Sequence, residues 1–158
     1  MPGYGIVGAE ERSGLLPWDW AAERLGRSHD YWIATAWPDG RPHVTPVWGV
    51  WRETALWFSC GRRSRKARNL EQNPAVVATT DDAANPVIVD GTAVLVDDMD
   101  AIAAFAEWAD AKYETNYGVE FFGDPGNACI RVDAGSVFGL REGDFTGSPT
   151  RWVFDVVR

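Results

Sequence analysis

The chain has 158 residues, of which 46% are hydrophobic and 24% charged, a composition typical of a globular domain rather than a disordered segment. Its formal net charge of -8 disfavours nucleic acid and anionic membranes as partners. No apolar run approaches the roughly 20 residues of a membrane helix, and residues 1–16 lack the apolar core of a secretory signal. We therefore expect one cytoplasmic domain over residues 1–158, with residues 1–16 as a flexible N-terminus.

Cysteine and histidine, which hold zinc in most protein sites, are few in this sequence. Cys60 and Cys129 lack the spacing of a metal knuckle and lie in apolar, strand-like stretches, so we expect them to be small buried hydrophobic side chains. The two histidines, His29 and His43, belong to no zinc-binding pattern. The sequence therefore predicts no metal site.

The first half of the chain alternates apolar runs with strong turn signals. Pro38-Asp39-Gly40 joins the fixed φ of proline to a glycine that accepts positive φ, and it predicts a tight hairpin. Glu53-Thr54 predicts a second tight turn. The predicted elements are, in order, a helix over 17–27, strands over 31–37, 42–52 and 55–60, a basic helical segment over 61–72 and a strand over 75–80.

The second half of the chain carries the longest predicted helix. Asp98 is placed to cap this helix, which runs from Met99 to about Glu114 and has Phe105 and Lys112 on one face. The other predicted elements are a polar turn over 81–85, a strand over 87–96, a glycine-rich loop over 118–127, and strands over 128–140 and 150–157.

Tight hairpins imply antiparallel pairing, because parallel strands need longer crossovers. An antiparallel sheet of about seven strands, rich in aromatic residues, closes economically into a barrel. The predicted fold class is therefore mainly β, a β-barrel with two or three inserted helices.

One segment concentrates positive charge in an otherwise acidic chain. Five of the fifteen basic residues lie between positions 62 and 68. They follow a strand and open a helix, where free backbone N–H groups and the helix dipole favour an anion. Helical spacing would place Arg62, Arg65, Lys66 and Asn69 on one face. Ser64 would cap the helix or donate a hydrogen bond from its hydroxyl to phosphate. The alternatives are a solvated basic face that pairs with nearby acids, or a nucleic-acid patch.

Two other patterns carry no functional prediction. Gly3-Tyr4-Gly5-Ile6-Val7-Gly8 fits the dinucleotide fingerprint G-x-G-x-x-G, but no strand precedes it, so we interpret it as part of the flexible N-terminus. The sequence also contains no local nucleophile–base arrangement, and catalytic residues remain unassigned.

Three blocks, in order, resemble one known family. Residues 34–48 (Ala-Thr-Ala-Trp-Pro-Asp-Gly-Arg-Pro-His-Val-Thr-Pro-Val-Trp) look like the first hairpin of the pyridoxamine-5′-phosphate-oxidase-like split-barrel flavoproteins. Residues 64–70, followed by Asn73-Pro74, resemble the phosphate-binding helix of that family, and residues 89–93 resemble its next strand. The resemblance spans residues 30–97 and implies a split β-barrel homodimer with a cofactor groove between the subunits.

By position, the resemblance implies that Arg65 and Lys66 bind phosphate, and that Thr45 to Trp48 line the ring system through backbone groups. Trp48 would also wall the substrate side. The cofactor-binding residues predicted in all are Thr45, Pro46, Val47, Trp48, Ser59, Cys60, Gly61, Arg62, Ser64, Arg65, Lys66 and Asn69.

The resemblance also implies an activity. The sequence of residues 45–48 and 66–70 is closer to the branch that uses the deazaflavin coenzyme F420 than to true pyridoxamine phosphate oxidases. True oxidases carry a C-terminal Arg-x-His, and this chain has Arg151-Trp152-Val153 instead, without the histidine. We expect an oxidoreductase that transfers hydride from reduced F420 to a small conjugated substrate. The alternatives are an FMN-dependent enzyme of the same fold and a non-catalytic binder of a cofactor or haem.

Overall fold

Seven strands and four α-helices make up residues 14–154, the part of the chain that the computed structural model describes. The predicted dinucleotide-like motif and most of the predicted flexible N-terminus lie outside these residues. The elements are α1 (Trp18–Arg27), β1 (Asp30–Ala36), β2 (Pro42–Arg52), β3 (Ala55–Gly61), α2 (Arg65–Gln72), β4 (Ala75–Thr80), β5 (Val87–Val96), α3 (Met99–Tyr113), α4 (Gly118–Phe122), β6 (Asn127–Gly139) and β7 (Thr150–Val153).

Six strands close into an antiparallel barrel. The hydrogen-bonded order is β3-β2-β1-β4-β5-β6, and β6 returns to pair with β3. The seventh strand, β7, pairs with the last part of β6. The prediction of a mainly β barrel with inserted helices is confirmed.

The barrel is split along β2, which changes partner halfway along its length. Residues 42–48 pair with β1, whereas residues 49–52 pair with β3. Beyond the Gly49–Phe58 pair, β3 continues to Gly61 alongside β6. Within the described chain, the β3-side edge of β2 from Val44 to Trp48 therefore faces no strand.

Two hydrophobic cores lie on opposite faces of this sheet. The barrel interior holds fully buried side chains such as Tyr31, Phe58 and Val132, and α1 packs Leu25 against them. The second core lies between the outside of the barrel and α3, where Trp57 stacks on Phe105 with ring centroids 6.2 Å apart. This second core fixes α3 against β3 and so defines one side of the site described below.

Two helix starts match the prediction. The Ser64 hydroxyl accepts a hydrogen bond from the N–H of Ala67 (3.4 Å), and the Asp98 carboxylate accepts one from Ala101 (2.8 Å). Each side chain satisfies a backbone donor that has no partner inside its helix.

Other predictions were wrong. The glycine-rich loop contains the helix α4. Phe122, the one buried residue of this helix, packs edge-on against Phe105 at 5.0 Å and anchors a segment that local glycine signals mark as irregular. The helix α2 begins at Arg65, so Arg62 lies outside it, and Asn69 is buried beneath it. The four residues expected on one helical face therefore do not share one. The first strand ends at Ala36. The last strand covers residues 150–153 and ends before Phe154, and the remaining residues predicted for it, 155–157, lie outside the described residues.

Within residues 14–154, no helix combines the length and apolar character required to cross a membrane.

Candidate functional site

The entrance of α2 brings together a helix N-terminus and positive charge. The first N–H groups of an α-helix have no acceptor within the helix, and no acidic residue occupies the first turn of α2. Ser64, Arg65 and Lys66 are half-buried there, whereas Arg68 is exposed. Among the described residues, Lys66 has no carboxylate within ion-pair distance. The entrance therefore offers uncompensated donors to an anion.

The two arginines at this entrance are held by different contacts. The guanidinium of Arg65 lies 3.7 Å from the ring centroid of Trp37, on the hairpin between β1 and β2. Arg62 lies 3.7 Å from a carboxylate oxygen of Asp97, a pair exposed enough to contribute little to stability. Arg65 thus has a fixed position across the split from β3, while the side chain of Arg62 is weakly held.

A contact between Cys60 and Ser64 joins the end of β3 to the entrance of α2. The Ser64 hydroxyl donates to the Cys60 sulfur at 3.5 Å. Burial raises the pKa of the Cys60 thiol, against the opposing effects of the Ser64 hydroxyl and the Lys66 ammonium. Cys60 is therefore a neutral side chain beside the cationic entrance, and Cys129 is buried on the opposite face of the sheet.

The open edge of β2 presents backbone groups towards the split. The N–H and C=O of Gly49 point to the β1 side, where they meet the hydroxyl of Tyr113 and the ammonium of Lys112. Because backbone direction alternates along a strand, the N–H and C=O of Trp48 and the C=O of Pro46 point to the β3 side. No strand pairs with them there, so they are available to a ligand.

A pocket of about 260 Å³ lies beside the split, between the outside of the barrel and the α3–α4 pair. Its floor holds the buried rings of Phe105 and Phe122, and exposed aromatic side chains form its rim. Among the described lining residues, none carries a charged side chain. The lining residues are Trp48, Gly49, Ser59, Cys60, Gly61, Phe105, Ala109, Tyr113, Thr115, Tyr117, Phe121, Phe122 and Asn127.

Two neighbouring residues of α3 fasten its end to β2. The ammonium of Lys112 donates to the carbonyl of Gly49 (2.8 Å) and to the hydroxyl of Tyr31 (3.0 Å). Burial lowers the pKa of Lys112 to about 8, against the opposing effects of Asp30 and Asp81, and burial raises the pKa of Tyr113 to about 12. The Tyr113 ring stacks on Trp48 with centroids 4.4 Å apart and planes 4° from parallel.

Three buried polar atoms on the inner side of the split have no hydrogen-bond partner among the described residues. They are His43 Nδ1, Thr45 Oγ1 and Asn69 Oδ1. The amide nitrogen of Asn69 donates to Thr35 at 3.0 Å, so its side chain faces the barrel rather than the helix entrance. Unpaired buried polar atoms are costly, and a ligand that reached this part of the barrel would satisfy them.

The structure places the residues predicted from sequence in four locations. Trp48, Ser59, Cys60 and Gly61 meet at the pocket. Arg62, Ser64, Arg65 and Lys66 lie at the α2 entrance directly after Gly61. Thr45, Val47 and Asn69 face the barrel interior, and Pro46 lies on the open edge beside Trp48.

Sequence reasoning missed the pocket wall formed by α3 and α4. Tyr113, Tyr117 and Phe121 belong to it, and Tyr117 and Phe121 stack on each other at 4.7 Å. The signal available was the density of aromatic residues over 105–122, which is equally typical of a buried core.

Six antiparallel strands that close through β3 and β6 and part between β2 and β3 define the class of split β-barrels. The family model described as pyridoxamine 5′-phosphate oxidase matches residues 19–140. The chain therefore belongs to the pyridoxamine 5′-phosphate oxidase family, which includes flavin-related oxidoreductases.

Solved structures share the fold. A structure titled F420 reductase is 25% identical, with a TM-score of 0.61, covering 73% of this chain and 93% of its own. A conserved hypothetical protein from Mycobacterium tuberculosis is 21% identical, with a TM-score of 0.68 and coverage of 96% and 88%. A FAD-binding protein from Mesorhizobium loti is 19% identical, with a TM-score of 0.64 and coverage of 78% and 92%. No curated protein matches the chain.

Proposed function

We propose that this protein is an F420-dependent oxidoreductase that reduces a small, flat, uncharged substrate. The observation that carries the proposal is the position of the split: the open edge of β2 lies between the cationic entrance of α2 and the aromatic pocket. A flavin-type cofactor has a phosphate-bearing tail and a flat ring system, and these two surfaces match the two ends of the site. The 25% identity to a structure titled F420 reductase favours the deazaflavin over FMN.

The residues present fit such a cofactor. The Lys66 ammonium, the Ser64 hydroxyl and the free N–H groups at the start of α2 are donors suited to phosphate. The exposed backbone of Pro46 and Trp48 offers hydrogen bonds to the polar edge of a ring. The bound deazaflavin would supply the hydride, while this chain would supply position and exclusion of water.

The pocket supports the proposed substrate class. Aromatic rings line its floor and rim, and no charged side chain is present among its described lining residues. A charged substrate would lose hydration there without gaining an ionic partner. Flat uncharged compounds such as enones and quinones would instead stack on these rings.

We further propose that the protein is a cytoplasmic homodimer whose partner subunit covers the outer face of β1 and β2. This face exposes Trp32, Val44 and Trp48 at 43%, 52% and 47%, with Pro46 opposite Trp32 in the strand register. Contiguous exposed apolar surface of this kind marks an interface. A second copy docked there would place the groove between subunits.

Titration of the purified protein with oxidised F420 and, separately, with FMN tests the cofactor. We expect F420 to bind more tightly than FMN. Tighter FMN binding would identify an FMN-dependent protein of the same fold, and binding of neither would contradict the proposed function.

Turnover tests the activity and the substrate class. Reduced F420 should be consumed with an uncharged naphthoquinone and much more slowly with its sulfonated counterpart. Consumption with neither compound, despite tight F420 binding, would favour the non-catalytic alternative. Equal rates with both would contradict the assignment of the uncharged pocket as the substrate site.

A further inference from the structure

The backbone of Gly49 lacks a partner strand on one side. Strand β1 begins at Asp30, opposite Trp48, so no residue of β1 pairs with Gly49. Instead the Gly49 N–H donates to the hydroxyl of Tyr113 (2.7 Å), and the Gly49 carbonyl accepts from Lys112 (2.8 Å). Two side chains of α3 thus replace the hydrogen bonds that a strand would make.

One of these two side chains, Tyr113, also contacts Trp48, which forms part of the pocket wall. The hydroxyl of Tyr113 also donates to the carbonyl of His29 at 2.6 Å, which fixes the position of the hydroxyl end of the ring. The ring lies 4.4 Å from the Trp48 indole and almost parallel to it, and the imidazole of His29 stands edge-on to both. The indole is 47% exposed in the single chain, so within one subunit its orientation depends on this one packed face.

Lys112 makes directional contacts rather than an ion pair. Its ammonium lies over the rings of Tyr31 (4.8 Å) and Tyr113 (5.3 Å), and no described carboxylate lies within ion-pair distance of it. Asp30 and Asp81 act on it at longer range. Its two hydrogen bonds, to Gly49 and Tyr31, therefore fix where the end of α3 sits on β2.

We propose that Lys112 and Tyr113 are positioning residues that set the orientation of Trp48 at the pocket wall. The effect on ligand binding rests on the proposed function, whereas the effect on Trp48 itself does not. Neither residue touches the proposed ligand through its polar group, because the Tyr113 hydroxyl and the Lys112 ammonium are directed at Gly49, His29 and Tyr31.

Nuclear magnetic resonance of the protein without cofactor tests the positioning. The indole N–H signal of Trp48, assigned by its loss in Trp48→Phe, should shift or broaden in Tyr113→Phe and in Lys112→Met. Tyr117→Phe is the matched control. It also removes a phenol hydroxyl from the pocket, but this hydroxyl makes no hydrogen bond among the described residues. The Trp48 signal should therefore stay in place in Tyr117→Phe.

Hydrogen exchange at the Gly49 amide gives a second test, and the wild-type protein alone can already contradict the proposal. We expect this amide to be protected in the wild type and to exchange about tenfold faster in Tyr113→Phe, as expected for one lost hydrogen bond. An unprotected Gly49 amide in the wild type would overturn the proposal even if a variant failed to fold.

Cofactor titration separates this inference from the proposed function. If Trp48 moves and the affinity for F420 falls at least severalfold in Tyr113→Phe, both stand. If the wild type binds neither F420 nor FMN while the Trp48 signal responds as expected, the proposed function fails and the positioning role stands. If F420 binds equally to wild type and variants, with Trp48 unmoved and only the melting temperature lowered, Lys112 and Tyr113 are merely structural and the inference fails.

Discussion

Arg65 stacks on the indole of Trp37, with the guanidinium 3.7 Å from the ring centroid. Arg65 opens α2, and Trp37 begins the turn between β1 and β2, so this contact joins the two sides of the barrel split. A planar guanidinium stacked in this way keeps its edge free to donate hydrogen bonds. The stack therefore gives the proposed phosphate site one arginine with a defined direction.

Removal of the stack should loosen that arginine. In Trp37→Leu we expect the affinity for F420 to fall about two- to fivefold, because a cation–π contact that solvent still reaches contributes about 0.5–1 kcal/mol. Trp37→Phe retains an aromatic face and should lie between the wild type and Trp37→Leu. Isothermal titration calorimetry measures all three, and equal affinities would show that Arg65 does not depend on Trp37.

Lys66 should contribute more to binding than Arg68 of the same helix. Lys66→Ala removes a donor with no competing carboxylate, and a charged hydrogen bond is worth about 1.5–3 kcal/mol, so we expect affinity for F420 or FMN to fall about 10- to 150-fold. Arg68→Ala is the matched control, because it removes the same charge from an exposed position of the same helix. Equal losses in the two variants would indicate a general charge effect and no phosphate contact by Lys66.

The strands could be predicted from sequence better than the site. The predicted ranges 42–52, 75–80 and 87–96 agree with β2, β4 and β5, because each is bounded by a local turn signal or proline. The direction in which Asn69 points could not be predicted, since it depends on Thr35, which lies 34 residues away in the sequence.

The wall of the pocket was beyond sequence reasoning for the same reason. Trp48 and Tyr113 are distant in sequence, and their stacking follows from how α3 docks on Gly49. Local patterns identify the element that carries a residue, whereas tertiary packing decides which residue it meets.

Stability should depend on pH through Lys112. Its pKa is about 8 in the folded chain and 10.5 without the fold, so between these values the unfolded chain binds a proton that the folded chain does not. The free energy of unfolding of the wild type should therefore rise, relative to that of Lys112→Met, as pH increases from 8 to 10.5. Urea denaturation of both proteins measures this difference.

The buried side chains of Cys129 and Tyr113 lower the free energy of unfolding as pH rises, opposite to the effect of Lys112. The pKa of Cys129 is raised to about 12 from 9.0 and that of Tyr113 to about 12 from 10.0, so both contribute stability below their ordinary values that is lost as pH rises towards 12. These contributions are common to wild type and Lys112→Met, which is why the difference is the informative quantity. A difference that stays constant from pH 8 to 10.5 would contradict the assigned environment of Lys112.

Gly91 of β5 lies opposite a β-bulge in β6, where Gly135 is the extra residue, and it should not tolerate a side chain. A Cβ there would lie 2.6 Å from the carbonyl oxygen of Asp133 and 2.8 Å from a methyl group of Val132. We expect Gly91→Ala to lower the free energy of unfolding by about 1–3 kcal/mol, as overpacking does. Gly26→Ala in α1 is the control, because a Cβ there has no neighbour within 4 Å. Urea denaturation that finds equal stability in the two variants would contradict this prediction.

The prolines of β2 bear on how an exposed strand edge avoids self-association. Pro42 and Pro46 share the backbone direction of Trp48, so the N–H group that each one lacks would have pointed into the split. A neighbouring polypeptide that tried to extend the sheet there would find no donor at either position, and prolines at such edges discourage intermolecular β-pairing. The split can thus stay open to a small molecule while resisting polymerisation of the protein into fibrils.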